Sequence, residues 1–377
     1  MQFSVDRGAL LSAMAHVHRV VERRNTIPIL SNVLIRADAG EIRLRATDLD
    51  LEATERVAAT VSAPGSLTVP ASTLYDIVRK LPSRGTLECD AKADGSALVI
   101  VAGRSRFVLQ ALPETDFPEI DTGTLPHRFS ITAGELRRLI DRTQFAISTD
   151  ETRYYLNGIF LHVLGRGDGR QLRAVATDGH RLAYAEADAP KGSEEMPGII
   201  IPRKAIGEIH KLADDPEAAM TFELSDSKIR LTVGDLVLTS KLIDGTFPVY
   251  ERVIPTGNDK RMLIDRDQLA QAVDRVATVS TGKGRGIKFT LSRDRLVLNT
   301  GNSEGGSGIE ELATEYAGPN IEIGFNARYV LDALASVEPG PVLLRIGTPA
   351  DPARFEPPAS SAIDERALII LMPMRVT

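Results

Sequence analysis

The 377-residue sequence lacks the marks of several protein classes. Its single cysteine, Cys89, cannot close an intrachain disulfide and cannot build a thiolate zinc site. The opening stretch, Met1 to Leu11, has neither the basic region nor the long apolar run of a secretory signal. With the lone cysteine, this points to a reducing cytoplasm. The longest strongly apolar run, Ala367 to Met374, is eight residues, far short of the roughly 20 that span a bilayer. There is no large charge excess either: 45 basic against 51 acidic residues give a net charge of -6. That balance argues against a surface coated by nucleic acid throughout but leaves room for a local basic face. With 43% hydrophobic and 25% charged residues the composition is ordinary for a globular chain. At about 100 to 200 residues per domain, the length suffices for two or three cores.

Signatures of chemistry are equally scarce. Gly301-Asn302-Ser303-Glu304-Gly305 matches the spacing of a nucleophile elbow, but it runs on into Gly306-Ser307-Gly308 and a strand-like segment instead of a helix. Gly282 to Gly286 is glycine-rich yet lacks the lysine and hydroxyl spacing that holds phosphate and magnesium. The six histidines form no H-E-x-x-H pair, so neither metal nor cofactor is expected. Arg166-Gly167-Asp168 reads as turn chemistry. A soluble hydrolase using Ser303 or His180 remains one alternative, and an acidic peptide-binding scaffold without a pore is another.

What the sequence does contain is a repeat. A short strand followed by a polar helix start recurs at Phe3 to Leu10, Phe129 to Leu136 and Met262 to Leu269, with starts 126 and 133 residues apart. A strand ending in threonine and a turn residue recurs at Thr47-Asp48, Thr177-Asp178 and Thr300-Gly301. A second helix opens after Val69-Pro70, Ile201-Pro202 and Phe325-Asn326, with proline in the first turn of two of them. A hairpin strand running into Phe117-Pro118 recurs at Phe247-Pro248, and the third copy ends on Ile369 to Met374. The pattern predicts an α+β fold of three tandem two-helix, multi-strand domains: 1–126, 127–253 and 254–377. Loops are expected at Gly165 to Gly169, Asp188 to Pro197, Gly301 to Gly308 and Thr348 to Ser361.

Charge follows the repeat. On the first expected helix, Leu10, Leu11, Met14, Val17 and Val21 share an arc opposite His16, Arg19 and Arg23. In the second copy Leu136, Leu139 and Ile140 lie opposite Arg138 and Arg142, and Ile206, Ile209 and Leu212 opposite Lys204 and Lys211. The six expected helices (7–24, 71–81, 133–143, 202–213, 266–277 and 325–337) carry a net charge of +7, leaving -13 for the remainder. Such segregation suits a helical face turned to a polyanion.

Tyr154-Tyr155-Leu156-Asn157-Gly158, Ala176 to Leu182 (ATDGHRL), Ile201-Pro202-Arg203-Lys204, Ser240 to Gly245 with Phe247-Pro248, and Met372-Pro373-Met374-Arg375 closely resemble the bacterial replicative sliding clamps, the β subunits of DNA polymerase III. The likeness runs the full length of the chain. It implies the DNA clamp fold, a head-to-tail homodimer closing a six-domain ring with helices lining the pore, and no bond chemistry. It also implies partners: duplex DNA bound without regard to sequence, a clamp loader, the replicative polymerase, and other proteins carrying a short apolar motif.

By this resemblance DNA would be met by Arg24, Arg138, Arg142, Lys204 and Lys211, with Tyr154 and Tyr155 in an adjacent loop. The partner-peptide pocket would draw on Leu156, Thr177, Gly179, His180, Arg181, Leu182, Pro248, Arg252, Val253, Asn326, Tyr329, Ile370, Leu371, Met372, Pro373, Met374 and Arg375. The ring contact would set Arg104, Arg106, Phe107 and Leu109 of one subunit against Thr278, Val279, Glu304, Glu310 and Glu311 of the other. Two stretches depart from the family pattern. Thr149-Asp150-Glu151 stands where the family often turns His and Gln toward DNA, and the proline-rich Thr348 to Ser361 stands where the family has a more regular strand.

Overall fold

The computed structural model describes residues 1–22, 26–165, 167–280, 286–301, 306–357 and 366–376. Its α-helices are α1 (Arg7–Val17), α2 (Ala71–Lys80), α3 (Ala133–Asp141), α4 (Arg203–Leu212), α5 (Arg266–Ala277) and α6 (Ala327–Ala335). The chain divides into two compact units. One comprises Met1–Ala133, Lys191–Ser193 and Lys211–Leu242, and the other comprises Gly134–Pro190, Glu194–His210 and Ile243–Thr377.

The repeat is visible in how the helices begin. Strands Gln2–Asp6, His127–Thr132 and Lys260–Asp265 run directly into α1, α3 and α5. Asp6 accepts the Ala9 N–H at 2.9 Å and Asp265 accepts that of Gln268 at 2.9 Å, each satisfying a backbone donor that the first turn leaves open. The second helix of each copy follows Gly65–Pro70, Ile199–Pro202 or Ile321–Asn326. Pro70 sits at the N-cap and Pro202 ends its strand, one position earlier than expected, while Asn326 caps α6 through the N–H groups of Arg328 and Tyr329. Within their own units α1 packs on α2 and α5 on α6, burying Leu10, Met14, Leu74 and Val78 in one case and Leu269, Val273, Val330 and Leu334 in the other.

Antiparallel sheets join successive copies. In the first unit Leu51–Ala63 pairs with Leu236–Lys241, Leu51 opposite Ser240, so strands of the first and second copies form one 12-stranded sheet. In the second unit Arg181–Asp188 pairs with Ala367–Leu371, Arg181 opposite Leu371, and a nine-stranded sheet results. Gly286–Ser292, Arg295–Gly301, Ser307–Ala313 and Ile321–Asn326 make a separate four-stranded sheet, with Ser307–Ala313 at one edge. Alternation puts every second side chain inside, as in Ile287, Phe289 and Leu291.

Three expectations are corrected here. The first helix ends at Val17 instead of residue 24, because His18 Nδ1 bonds the Met14 carbonyl at 2.5 Å and the His18 ring stacks on Tyr75 at 3.8 Å. Arg19 therefore lies beyond the helix, and Arg23 and Arg24 fall outside the described residues. The helices as formed carry 11 basic and 7 acidic residues, a net charge of +4 in place of +7. The expected loop Thr348 to Ser361 contains a strand, Ala353–Glu356, which pairs with Pro341–Ile346 on one side and Ala367–Leu371 on the other.

Candidate functional site

The site grows from the turn after Gln171–Thr177. Thr177 Oγ1 donates to the Arg181 carbonyl at 2.7 Å, and Asp178 Oδ1 accepts the N–H groups of His180 and Arg181 at 2.9 and 3.0 Å. Gly179 completes the turn at φ +87°, where a Cβ would lie 2.6 Å from an Arg153 nitrogen, so only glycine fits without displacement. The turn sends Leu182 inward, opposite Ile370 on the next strand. Leu156, Val175, Leu182, Ile200, Phe247, Tyr250, Leu368 and Ile370 form one buried cluster.

This apolar floor lies among exposed side chains. Val249 is 60% exposed, Tyr154 53%, Val253 49% and Met372 40%, a concentration of wet apolar surface that marks an interaction site. Pro248 and Arg252 are exposed in the same segment as Val249 and Val253. The C-terminal stretch is fixed by Met372 N–H to the His180 carbonyl and by Met374 N–H to the Gly324 carbonyl, both 2.9 Å. Gly324 permits that crossing, because a Cβ there would meet the Met374 oxygen at 2.3 Å. Pro373 and Met374 are half-buried and Arg375 is exposed. Methionine side chains adapt to different partners at low cost, which suits a surface that accepts related peptides.

Next to this floor lies a polar cleft of about 740 Å³. Arg181 bonds Asp332 at 2.6 Å and Asp178 at 3.1 Å and stacks on Tyr329 at 4.3 Å. His180 lies against Tyr329, with ring centroids 6.4 Å apart. Arg203 donates to the Ile147 and Ser148 carbonyls at 2.6 and 2.9 Å; burial, with the Arg181 guanidinium nearby, holds it below its ordinary range. Asp150 accepts from Thr152 at 2.7 Å and from Arg153 at 2.9 Å, and these bonds hold its carboxyl below the usual range. The Thr149-Asp150-Glu151 departure thus caps its own loop, whose following residues Glu151–Leu156 form a 3-10 turn presenting Tyr154 and Tyr155 edge to face at 5.8 Å.

Several predicted residues lie elsewhere than expected. Leu371 is buried but alternates to the face opposite Ile370, so the two cannot line one cavity. Arg138 is half-exposed on α3, whereas Arg142 is only 8% exposed: α3 ends at Asp141, Thr143 Oγ1 bonds the Leu139 carbonyl at 2.7 Å, and Arg142 reaches Glu338 at 3.7 Å. Lys204 and Lys211 stand on α4.

At the expected ring contact, Ser105–Gln110 is an edge strand of the first unit, with Arg106 exposed and Phe107 half-buried, and Arg104 is exposed in the preceding turn. Leu109 is buried at 7% and belongs to its own core; the outward residue is Val108, at 42%. In the second unit Thr278 caps α5 and is exposed, and Val279 is half-buried. Glu310 bonds Arg275 at 3.0 Å, which lowers its carboxyl below the usual range, and Glu311 pairs with Arg295. Ile309, just before them, is 72% exposed. Val108 and Ile309 were missed, although strict alternation in both strands would have pointed them outward. Glu304 and Ser303 lie outside the described residues. Among the described residues no hydroxyl bonds the His180 ring, no group of three or more His, Cys, Asp or Glu could hold a metal ion, and no helix is long and apolar enough to cross a membrane.

Fold and site together define a DNA clamp built of three α+β repeats with a docking pocket. Family models of the DNA polymerase III beta subunit match the chain throughout: the N-terminal domain at residues 1–121, the central domain at 130–249 and the C-terminal domain at 251–375. Beta sliding clamps of Caulobacter vibrioides and Escherichia coli are 46% and 36% identical, each covering 100% of both chains. A Bartonella birtlesii sliding clamp solved with griselimycin superposes at TM-score 0.95 with 47% identity, covering 100% of both chains. A Pseudomonas aeruginosa clamp solved with a ligand does so at 0.93 with 40% identity, again covering 100% of both. The chain belongs to the DNA polymerase III β subunit family of sliding clamps, and it serves as a processivity factor.

Proposed function

We propose that two copies of this chain close head to tail into a ring around duplex DNA, each built of domains 1–126, 127–253 and 254–377, and that the ring has no catalytic activity of its own. A clamp loader opens it in the cytoplasm. The replicative polymerase and other DNA-processing proteins dock through a short apolar motif in the pocket floored by Leu156, Leu182 and Ile370 and rimmed by His180, Val253, Met372 and Met374. DNA is met by Arg138, Lys204 and Lys211 on helices, by Tyr154, and by Arg24. Phosphate contacts of this kind are numerous and indifferent to sequence, as sliding requires.

The observation that carries the ring is the pair of uncovered sheet edges. Ser105–Gln110 offers Arg106 and an exposed Val108, and Ser307–Ala313 offers Glu310, Glu311 and an exposed Ile309. A contact between two different patches closes on itself only when the rotation fits, and complementary charge on two free edges supplies the two patches. Sedimentation tests it. The parent should run at twice the 40.8 kDa chain mass and Ile309→Asp at the single mass. A parent that sediments as a monomer at micromolar concentration would remove the ring. Griselimycin, bound by the Bartonella birtlesii relative, should compete with a polymerase-tail peptide for the pocket.

A further inference from the structure

The wall of the pocket, residues 244–254, is held in an unusual way. Phe247 and Tyr250 are its buried anchors, at 7% and 3% exposure, while Pro248, Val249, Glu251, Arg252 and Val253 face solvent. Its backbone bonds are local: Arg252 N–H to the Val249 carbonyl at 3.4 Å and Ile254 N–H to the Glu251 carbonyl at 3.2 Å. Among the described residues, the hydrogen bonds that leave the segment all end on one atom, the Tyr250 hydroxyl.

That hydroxyl meets a prepared set of partners. Arg173 Nη1 donates to it at 2.8 Å, and His162 Nε2 lies 3.0 Å away. Arg173 is itself fixed, with Nε donating to Glu186 at 2.6 Å and its guanidinium lying 4.2 Å from the Tyr184 ring. Burial, aided by Arg173, pushes His162 down to about 4, so it is neutral near pH 7 and its Nε2 can accept the tyrosine proton while Arg173 donates to the oxygen. The His162 ring stacks on Phe160 at 4.6 Å, and Phe160 stacks on Phe247 at 4.9 Å, so both anchors of the wall rest on one side-chain array.

We infer that the Tyr250 hydroxyl, held between Arg173 and His162, is a positioning group that sets the place of the wall Val249–Val253 and thereby the affinity of the pocket for its apolar peptide. This rests on the docking reading above. Tyr250 itself need not touch the peptide.

The test compares the parent, Tyr250→Phe, His162→Phe and Val273→Ala in binding a fluorescein-labelled tail peptide of the polymerase catalytic subunit, alongside thermal unfolding and amide exchange. Tyr250→Phe keeps the ring and leaves Arg173 its Glu186 partner; His162→Phe keeps the stack and removes the acceptor; Val273→Ala loosens α5, which carries none of the pocket residues. The expected result is about tenfold weaker binding for Tyr250→Phe and about threefold for His162→Phe, a tenfold change being about 1.4 kcal/mol. Amide exchange should be faster at residues 249–254 in both, and Val273→Ala should bind like the parent despite a comparable loss of melting temperature. If the parent binds and Tyr250→Phe binds within twofold of it, the inference falls and the docking reading stands. If Val273→Ala weakens binding as much, the effect is general stability and the inference also falls. A parent that fails to bind removes both.

Discussion

The two junctions between successive repeats use the same backbone and opposite chemistry. At the first, Thr47 bonds the Leu51 carbonyl at 2.9 Å, Asp48 accepts from Asp50 and Leu51, and Lys241 N–H bonds the Asp50 carbonyl at 2.8 Å. At the second, Thr177, Asp178 and Met372 make the equivalent bonds around His180. In matching register, Glu52 lies opposite Thr239 where Leu182 lies opposite Ile370, and Arg45 takes the place of Val175. Arg45 bonds Glu52 at 3.1 Å, and the chain leaving Phe117 is drawn over the pair, through Pro118 to Arg45 at 3.0 Å and Ile120 N–H to Glu52 at 3.4 Å. The first junction is thus a charged cleft of about 770 Å³ whose groups are satisfied internally, and the second is an apolar floor with exposed methionine and valine. One fold unit forms a strapped seam in one copy and the proposed docking site in the next, and the side chains at three register positions make the difference.

Leu182→Ala should break the comparison most strongly. Truncating this 2%-exposed side chain is expected to cost about 2–5 kcal/mol by chemical unfolding and to weaken a polymerase-tail peptide more than tenfold. Unchanged peptide affinity would take the floor out of the account. Glu52→Ala, at the matching position, leaves half-buried Arg45 with Glu119 at 3.4 Å as its remaining carboxylate, so a loss of about 1–3 kcal/mol is expected with peptide affinity unaltered. Burial holds Glu52 above the ordinary carboxyl range despite Arg45, so its ion pair stabilises less than the geometry alone suggests. The smallest effects lie in the turns. Leu49 occupies φ +82° where the second copy has Gly179 at +87°. Leu49→Gly should leave stability within about 1 kcal/mol of the parent, and Gly179→Leu should cost about 1–3 kcal/mol and displace Arg153. Equal costs for the two would show that the turns do not differ in strain.

The sequence made the repeat legible because each copy punctuates itself with the same strand-to-helix and threonine-turn signals. It made the pocket legible where apolar residues are contiguous, as in Ile369 to Met374. What it hid is set by distant partners. The end of α1 depends on His18 stacking on Tyr75, far along the chain, and nothing in His18-Arg19-Val20-Val21 signals a stop. Arg142 continues the helical period, but a threonine bonding back to Leu139 ends the helix first. Ala353–Glu356 is bounded by Pro352 and Pro357 and reads as a loop until its two neighbouring strands are in place. The Tyr250 anchor joins residues 77 and 88 positions apart, and no local pattern encodes it.

The central claim is that this chain holds DNA by topology. The most direct test loads the protein with its cognate loader and ATP onto nicked circular plasmid, isolates the complex, cuts the plasmid once and measures the protein that remains. The account predicts retention on the circle and rapid release after the cut. Equal retention on circular and linear DNA would mean binding by contact alone and would contradict it.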